Sequence, residues 1–409
     1  MKKENELELY IHIPFCVKKC EYCDFLSGPA PERMQVAYIN ALLQEISYYG
    51  KMLPGRQIST IYVGGGTPSW LQETYMARIF EEIYHDFQVL QDAEITIECN
   101  PGTLTKNKLL VYKQIGINRL SIGLQSTMND ELQMLGRIHT YEQFLKNYEL
   151  ARECDFQNIN IDIMSALPEQ TEEKFAHTLS RVIQLRPEHI SAYSLIIEKG
   201  TPFYELYKFD DVRRHAGMET HHLPSEETEY QIGKMTQHFL KKNGFQHYEI
   251  SNYAKPGFEC RHNIGYWTRQ DYLGLGLGAA SLIDEVRYSN VRDLDTYISL
   301  AEELQPKVFS CQIEEETYQV IGTNLHVSAQ VLTRKDQLEE FMFLGLRMCD
   351  GVSRDDFIKT FKTSIDAVYG GVLSELVENQ LIERREGRIR LSDRGRDISN
   401  YVLSQFLLD

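Results

Sequence analysis

Three cysteines stand close together near the start of the chain, at Cys16, Cys20 and Cys23 in YIHIPFCVKKCEYCDF (residues 10–25). The other five, at 99, 154, 260, 311 and 349, are scattered singly, which is not the pattern of a disulfide framework. In a cytosolic chain a tight cysteine group suits metal binding or redox work. A structural zinc site closes with four ligands, and C-x3-C-x2-C supplies three with no obvious fourth nearby. A [4Fe–4S] cluster has four irons that each want an outer ligand, usually thiolate. Three thiolates therefore leave one iron open to the amino and carboxylate groups of a small molecule.

The elements that would position these thiols are legible as an alternation. LELYIHI (7–13) has strand periodicity, ISTIYVGGG is a strand running into a glycine turn, and further strands are expected at 94–98, 119–124, 158–163 and 189–196. Helical patterns lie between them at about 32–49, 71–87, 105–115, 141–153 and 171–184. Six βα-type repeats indicate a parallel sheet covered by helices, and six suit a partial (β/α)6 TIM-like barrel better than eight strands would. Polar residues close three of the strands: Glu98 in ITIE, Gln125 in SIGLQ and Asp162 in INIDI. One such residue would be an ordinary strand-end cap. Three at successive strands, at the mouth that also receives the cysteines, favour a site, because barrel chemistry gathers at the carboxyl ends of strands.

Further along the rhythm changes. Residues 205–224 are expected to be an inserted loop or linker, with His215, His221 and His222 as surface histidines rather than metal ligands. A helix at 225–242 and a strand near 246–251 extend the first unit. LGLGLGAA (273–280) lacks dinucleotide-fingerprint spacing and is read as close backbone packing. Helices at 336–348, 354–362 and 366–380, the hairpin RREGRIRLS and a final helix from 393 form a helical, winged-helix-like module. The division expected is 1–220 for the partial barrel, 221–330 for its extension and 331–409 for the C-terminal module.

The 409 residues carry a net charge of −16 with 42% hydrophobic and 25% charged residues. That balance argues against non-specific nucleic-acid binding, which rests on Lys and Arg neutralising phosphates, despite the arginines in the wing. No apolar run approaches the ~20 residues of a membrane span, and MKKENELELY has no apolar stretch behind its lysines. A cytoplasmic protein is expected.

CVKKCEYC after the first strand and GGGTP (64–68) after the second resemble the radical S-adenosylmethionine (SAM) superfamily. The resemblance implies a [4Fe–4S] cluster on Cys16, Cys20 and Cys23, with SAM on the open iron. LYIHIPFC, GGGTPS, ITIECNPG, LSIGLQS, LGRIH, NIDIMSALP and CRHNIGYW follow in order along almost the whole chain. They are similar to the oxygen-independent coproporphyrinogen dehydrogenases and their relatives. By that resemblance Tyr10, Tyr22, Gly65 and Glu98 line the cluster-bound SAM, and Gly66, Thr67, Gln125, Arg137 and Asp162 match a second SAM site.

Two features separate the branches. The dehydrogenases carry a further cysteine where this chain has Phe25, and HNIGYW (262–267) with EFMFLGLRMCDGV (340–352) resembles the HemW family of haem chaperones. That branch implies haem as cargo, His262 and Tyr266 of H-N-x-x-Y as its contacts, and haem-accepting respiratory proteins at the membrane as partners, with a homodimer as one allowed assembly. Imidazole is a common axial haem ligand. A structural His262 bonded to its surroundings, with Tyr266 and Trp267 as core, explains the same residues equally well. The rival readings are a porphyrinogen dehydrogenase, a radical SAM protein that opens the haem ring, and a winged-helix regulator with an iron–sulfur sensor.

Overall fold

The computed structural model describes residue 3, residues 5–313 and residues 316–408. The barrel follows the expected alternation: β1 (Glu6–Ile13), α1 (Glu32–Met52), β2 (Gln57–Gly65), α2 (Glu73–Asp86), β3 (Gln88–Cys99), α3 (Lys106–Gln114), β4 (Arg119–Gln125), α4 (Asn129–Met134), α5 (Tyr141–Glu153), β5 (Ile159–Ser165), α6 (Glu172–Gln184) and β6 (His189–Ser194). Strands β1 to β6 pair in sequence order and in parallel. The period of two sorts their side chains. Leu9, Ile11, Ile61, Ile97, Leu120, Ile122 and Ile161 are buried in the core cluster under the helices. The alternate set, including Tyr62, Glu98, Ser121 and Asp162, faces the barrel interior.

The helices begin where their capping chemistry says they should. Thr105, Thr140 and Thr171 each accept a backbone N–H of the first turn, and Thr140 with Gln143 forms a capping box.

Residues 205–224 are not a linker. Helix α7 (Pro202–His215) occupies most of them, capped by Thr201 with Pro202 in its first turn. Its periodicity is masked because Leu206, Phe209 and Val212 face solvent, so apolar residues mark no buried stripe. Asp210 on its inner side accepts the backbone N–H groups of His221, His222 and Leu223 and ties down the following loop.

After α8 (Glu226–Lys242) come two short strands, β7 (Gln246–His247) and β8 (Asn252–Ala254); β8 pairs antiparallel with β6, and β7 pairs antiparallel with β8 at the sheet edge. Helix α9 (Arg261–Trp267) is followed by β9 (Tyr272–Leu275), which pairs parallel with β1 on the opposite edge. Strands β10 (Ala280–Ile283) and β11 (Val286–Asn290), helix α10 (Leu294–Glu302), the hairpin β12 (Pro306–Ile313) and β13 (Glu316–Thr323), and β14 (His326–Val331) complete this part. Twelve of these fourteen strands form one sheet, and β12 and β13 form a separate two-stranded one. The glycine-rich stretch packs core backbone: a Cβ on Gly274 would lie 2.1 Å from the Ala280 carbonyl oxygen.

The C-terminal residues form their own core, from Leu338 to Phe406. Helices α11 (Arg334–Gly345), α12 (Arg354–Phe361) and α13 (Ile365–Glu378) pack with a three-stranded sheet, β15 (Val352–Ser353), β16 (Ile382–Arg385) and β17 (Arg388–Leu391). The wing arginines are committed within the module: Arg384 pairs with Asp366 at 2.7 Å, Arg390 with Glu383 at 2.8 Å, and Arg388 donates to the carbonyls of Asp350 and Gly351.

Candidate functional site

The cysteine loop leaves β1 at Ile13 and is pinched shut at its base. Cys16 N–H donates to the Gly28 carbonyl at 3.1 Å, and Gly28 N–H returns to Pro14 at 3.0 Å. Its far side is held by Glu21, whose N–H donates to the Leu135 carbonyl and whose carbonyl accepts from Phe203 N–H at the start of α7. A turn from Cys20 to Cys23 closes the loop between these anchors, with Cys23 N–H 3.2 Å from the Cys20 carbonyl. All three thiols face a cavity of about 450 Å³ at the carboxyl ends of the barrel strands. Burial pushes the Cys16 and Cys23 thiols up.

Among the described residues, the one trio of His, Cys, Asp or Glu donor atoms lying within 4.8 Å of one another is Glu82, His85 and Asp86, on the outside of the barrel. Cys16, Cys20 and Cys23 are therefore not drawn around a single ion, and their spread around one cavity fits a larger polynuclear group. Arg137 adds a positive charge beside them, with Nη1 3.6 Å from Cys20 Sγ, while Nη2 holds Asn100 Oδ1 at 2.8 Å and the Gly123 carbonyl at 2.7 Å.

The glycine turn after β2 packs directly against this loop. Gly66 N–H donates to the Ile13 carbonyl and Thr67 N–H to that of Phe15. A Cβ on Gly66 would lie 2.5 Å from the Phe15 carbonyl oxygen, and one on Gly65, at φ +113°, would lie 2.7 Å from the His12 ring. These glycines are needed for backbone contact with the cysteine loop as well as for open space in the cavity.

Glu98 lies opposite. Its Oε1 accepts from Tyr62 OH and its Oε2 from Gly65 N–H, both at 3.0 Å. Burial, with Asp162 nearby, pushes its carboxyl up to about 7. Asp162 accepts from Asn160 at 2.7 Å and from Ser121 at 3.2 Å, and burial raises it too. Gln125 ends β4 at φ +73°, a rare backbone for a non-glycine residue, and its Oε1 accepts from Tyr193 OH at 2.9 Å.

The cavity wall thus brings together Cys16, Cys20, Cys23, Tyr22, Gly65, Gly66, Thr67, Glu98, Gln125, Arg137 and Asp162. Tyr10 is not in that wall; it lies in the adjacent interior with its OH on His12 Nδ1 at 3.0 Å and its ring 6.4 Å from Tyr62. Sequence reasoning missed Tyr62, Asn100, Arg119 and Tyr193, which line it. The period-two register offered a signal for Tyr62, two positions before Gly64, and for Arg119, two before Ser121.

His262 and Tyr266 do not join the wall either. His262 is 1% exposed. Its Nδ1 is 2.7 Å from Thr60 Oγ1 and its Nε2 is 3.0 Å from Tyr266 OH. Tyr62 stacks on its face with centroids 5.2 Å apart. Burial, then the charge of Arg119, lowers its pKa to about 3. Both ring nitrogens are engaged and a ring stacks on one face, which fits a structural histidine bonded to its surroundings. Of H-N-x-x-Y, only Asn263 lines the cavity.

Comparison with known proteins agrees with this geometry. Residues 10–182 match the radical SAM superfamily and residues 332–398 the HemN C-terminal domain. The chain is 35% identical to the haem chaperone HemW of Lactococcus lactis over 402 residues, covering 98% of this chain and 97% of that one. It is 35% identical to HemW of Bacillus subtilis, covering 97% and 98%. Among solved structures, coproporphyrinogen III oxidase (HemN) of Escherichia coli, a radical SAM enzyme, superposes with a TM-score of 0.80 at 26% identity, over 99% of this chain and 90% of that one. A cysteine-lined partial barrel with the C-terminal module, matched end to end by these relatives, makes this chain a member of the HemW family within the radical SAM superfamily.

Proposed function

We propose that the chain is a haem chaperone that holds a [4Fe–4S] cluster on Cys16, Cys20 and Cys23, with SAM at the open iron, binds haem and passes it to acceptor proteins. The observation that carries the cofactor assignment is one cavity uniting three spread thiols, a buried carboxylate and a glycine turn. The haem assignment rests on relatives named haem chaperone that span the whole chain. When bound, the cluster and SAM supply one-electron chemistry at a sulfonium, which belongs to the cofactor.

The chain's own residues bind and orient. Glu98, aligned by Tyr62 and Gly65, presents a carboxylate to an ammonium or hydroxyl group. Thr67, fixed by Asn100 at 2.8 Å, and Gln125, fixed by Tyr193, give polar contacts at the rim. The resemblance placed Arg137 at a second SAM site. Its contacts with Cys20, Asn100 and Gly123 fit better a residue that steadies the cysteine loop. The acceptors we infer are respiratory proteins at the membrane, reached from the cytoplasm. No helix among the described residues is long and apolar enough to cross a membrane.

The second reading is a coproporphyrinogen dehydrogenase, favoured by the HemN superposition. Against it stands Phe25, 62% exposed at the cavity rim where those enzymes carry a cysteine. The test is transfer: reconstituted protein loaded with haem is mixed with a haem-free cytochrome, and the Soret band is followed. Movement of haem to the cytochrome faster than from free haem supports the chaperone; no haem uptake at all rejects it.

A further inference from the structure

The cavity holds a cation that the cluster does not use. Arg119 opens β4 and, like Ser121 and Gly123, turns into the barrel. It is 2% exposed and lines the cavity. Its Nε is buried with no hydrogen-bond partner; burial works against its charge, while the field of Cys260 and Glu94 favours it. The carboxylates facing this part of the barrel are committed elsewhere. Glu94 accepts the backbone N–H groups of Arg261 and His262, each at 3.1 Å, and Asp162 accepts from Ser121 and Asn160. The nearby imidazoles of His189 and His262 are held neutral by burial and by the charge of Arg119.

A buried N–H left without an acceptor is costly, and a guanidinium presents a planar fork that matches a carboxylate in two parallel hydrogen bonds. Besides Asp162, the surrounding wall is hydrogen-bonding and uncharged: Asn160, Ser191, Asn263, and Asn252, whose Oδ1 also lacks a partner.

We propose that the floor of the barrel cavity is a carboxylate-binding subsite built on Arg119. The carboxylate has two sources: a propionate of the haem cargo, which rests on the chaperone reading, or a small free monocarboxylate, which does not. Reach alone does not separate them, so the experiment does.

Full-length protein is used, with the cluster reconstituted anaerobically and SAM present in every arm. The first arm compares the melting temperature in sodium propionate with that in sodium chloride at equal ionic strength. Wild type is expected to gain stability from propionate by mass action, and Arg119→Met to gain none. The second arm compares haem with its dimethyl ester, which lacks carboxylates. Wild type is expected to prefer haem at least tenfold, and Arg119→Met to bind both alike. Arg119→Lys, which keeps the charge without the fork, serves both arms if the Met variant fails to fold, and should lose most of either effect. A propionate response without haem preference identifies a free carboxylate as the occupant; haem preference identifies the propionate. Failure of wild type to bind haem, with the propionate response intact, rejects the chaperone reading and keeps the subsite. Both effects retained in the variants, or absent from wild type, overturn the subsite.

Discussion

Glu98 is the residue whose charge state matters most in the cavity. With its carboxyl held near 7, burial has raised it above its ordinary value, so it is largely protonated below neutrality and charged above. A ligand ammonium favours the charged form. SAM affinity is therefore expected to fall as pH drops through about 7, and calorimetry at pH 6, 7 and 8 checks it. Glu98→Gln should weaken SAM and flatten that pH dependence. Gly65→Val is a poorer probe, because its side chain would strike His12 at the base of the cysteine loop as well as narrow the cavity. For the thiols, Ala at Cys16, Cys20 or Cys23 should abolish the four-iron absorption after anaerobic reconstitution. Ala at Cys311 or Cys349, both remote from the cavity, should preserve it; iron and sulfide content is the readout. The cysteines, Glu98 and Gln125 were legible because spacing and strand position marked them. Arg119 and Tyr62 were not, because a polar residue facing a barrel interior looks in sequence like any alternating strand residue.

In helix α9, of the two readings the sequence left open for His262, the buried one matches its packing: the helix turns this histidine into the barrel. Glu94 caps its first turn, and Gly265 lies so close to Glu8 that an added Cβ would be 2.1 Å from the carboxylate. Gly265→Ala should accordingly destabilise strongly. His262→Ala leaves a cavity and strands the hydroxyls of Thr60 and Tyr266, at a cost of about 2–4 kcal/mol, while the haem spectrum stays that of wild type. A changed haem spectrum at unchanged stability would restore His262 as a ligand. Helix α7 behaves in the opposite way. Its Leu206, Phe209 and Val212 are exposed, so Ser at any one should shift stability by no more than about 0.5 kcal/mol. Thr201→Ala removes the cap and should cost about 1 kcal/mol. Chemical denaturation distinguishes the two. That helix escaped sequence reading because its apolar residues face water, and periodicity reports helices only through what they bury.

Across the whole molecule, the alternation of strands and helices was sufficient to give the partial barrel, since each βα unit must bury one face of its helix on the sheet. The extension of that sheet past β1 through β9, β10, β11 and β14 was not legible, because such pairings join residues far apart in sequence. Glu45 of α1 is one tie that makes the extension part of the barrel. It accepts from Tyr297 OH at 2.6 Å, Gly276 N–H at 2.7 Å and Asn290 Nδ2 at 2.7 Å, all buried. Glu45→Ala leaves the Tyr297 hydroxyl and the Gly276 N–H without a partner and Asn290 Nδ2 with only the Gly276 carbonyl, and should cost about 3 kcal/mol, read as a lowered denaturation midpoint. On the proposed function, this scaffold, which superposes on a porphyrinogen oxidase, carries haem instead of converting a porphyrinogen. The direct measurement is anaerobic incubation of the reconstituted protein with SAM, a reductant and coproporphyrinogen III, followed by mass spectrometry of the tetrapyrrole, beside a parallel sample given haem. The expected result is unchanged coproporphyrinogen and stably bound haem; loss of carboxyl groups from the porphyrinogen over repeated turnovers would contradict it.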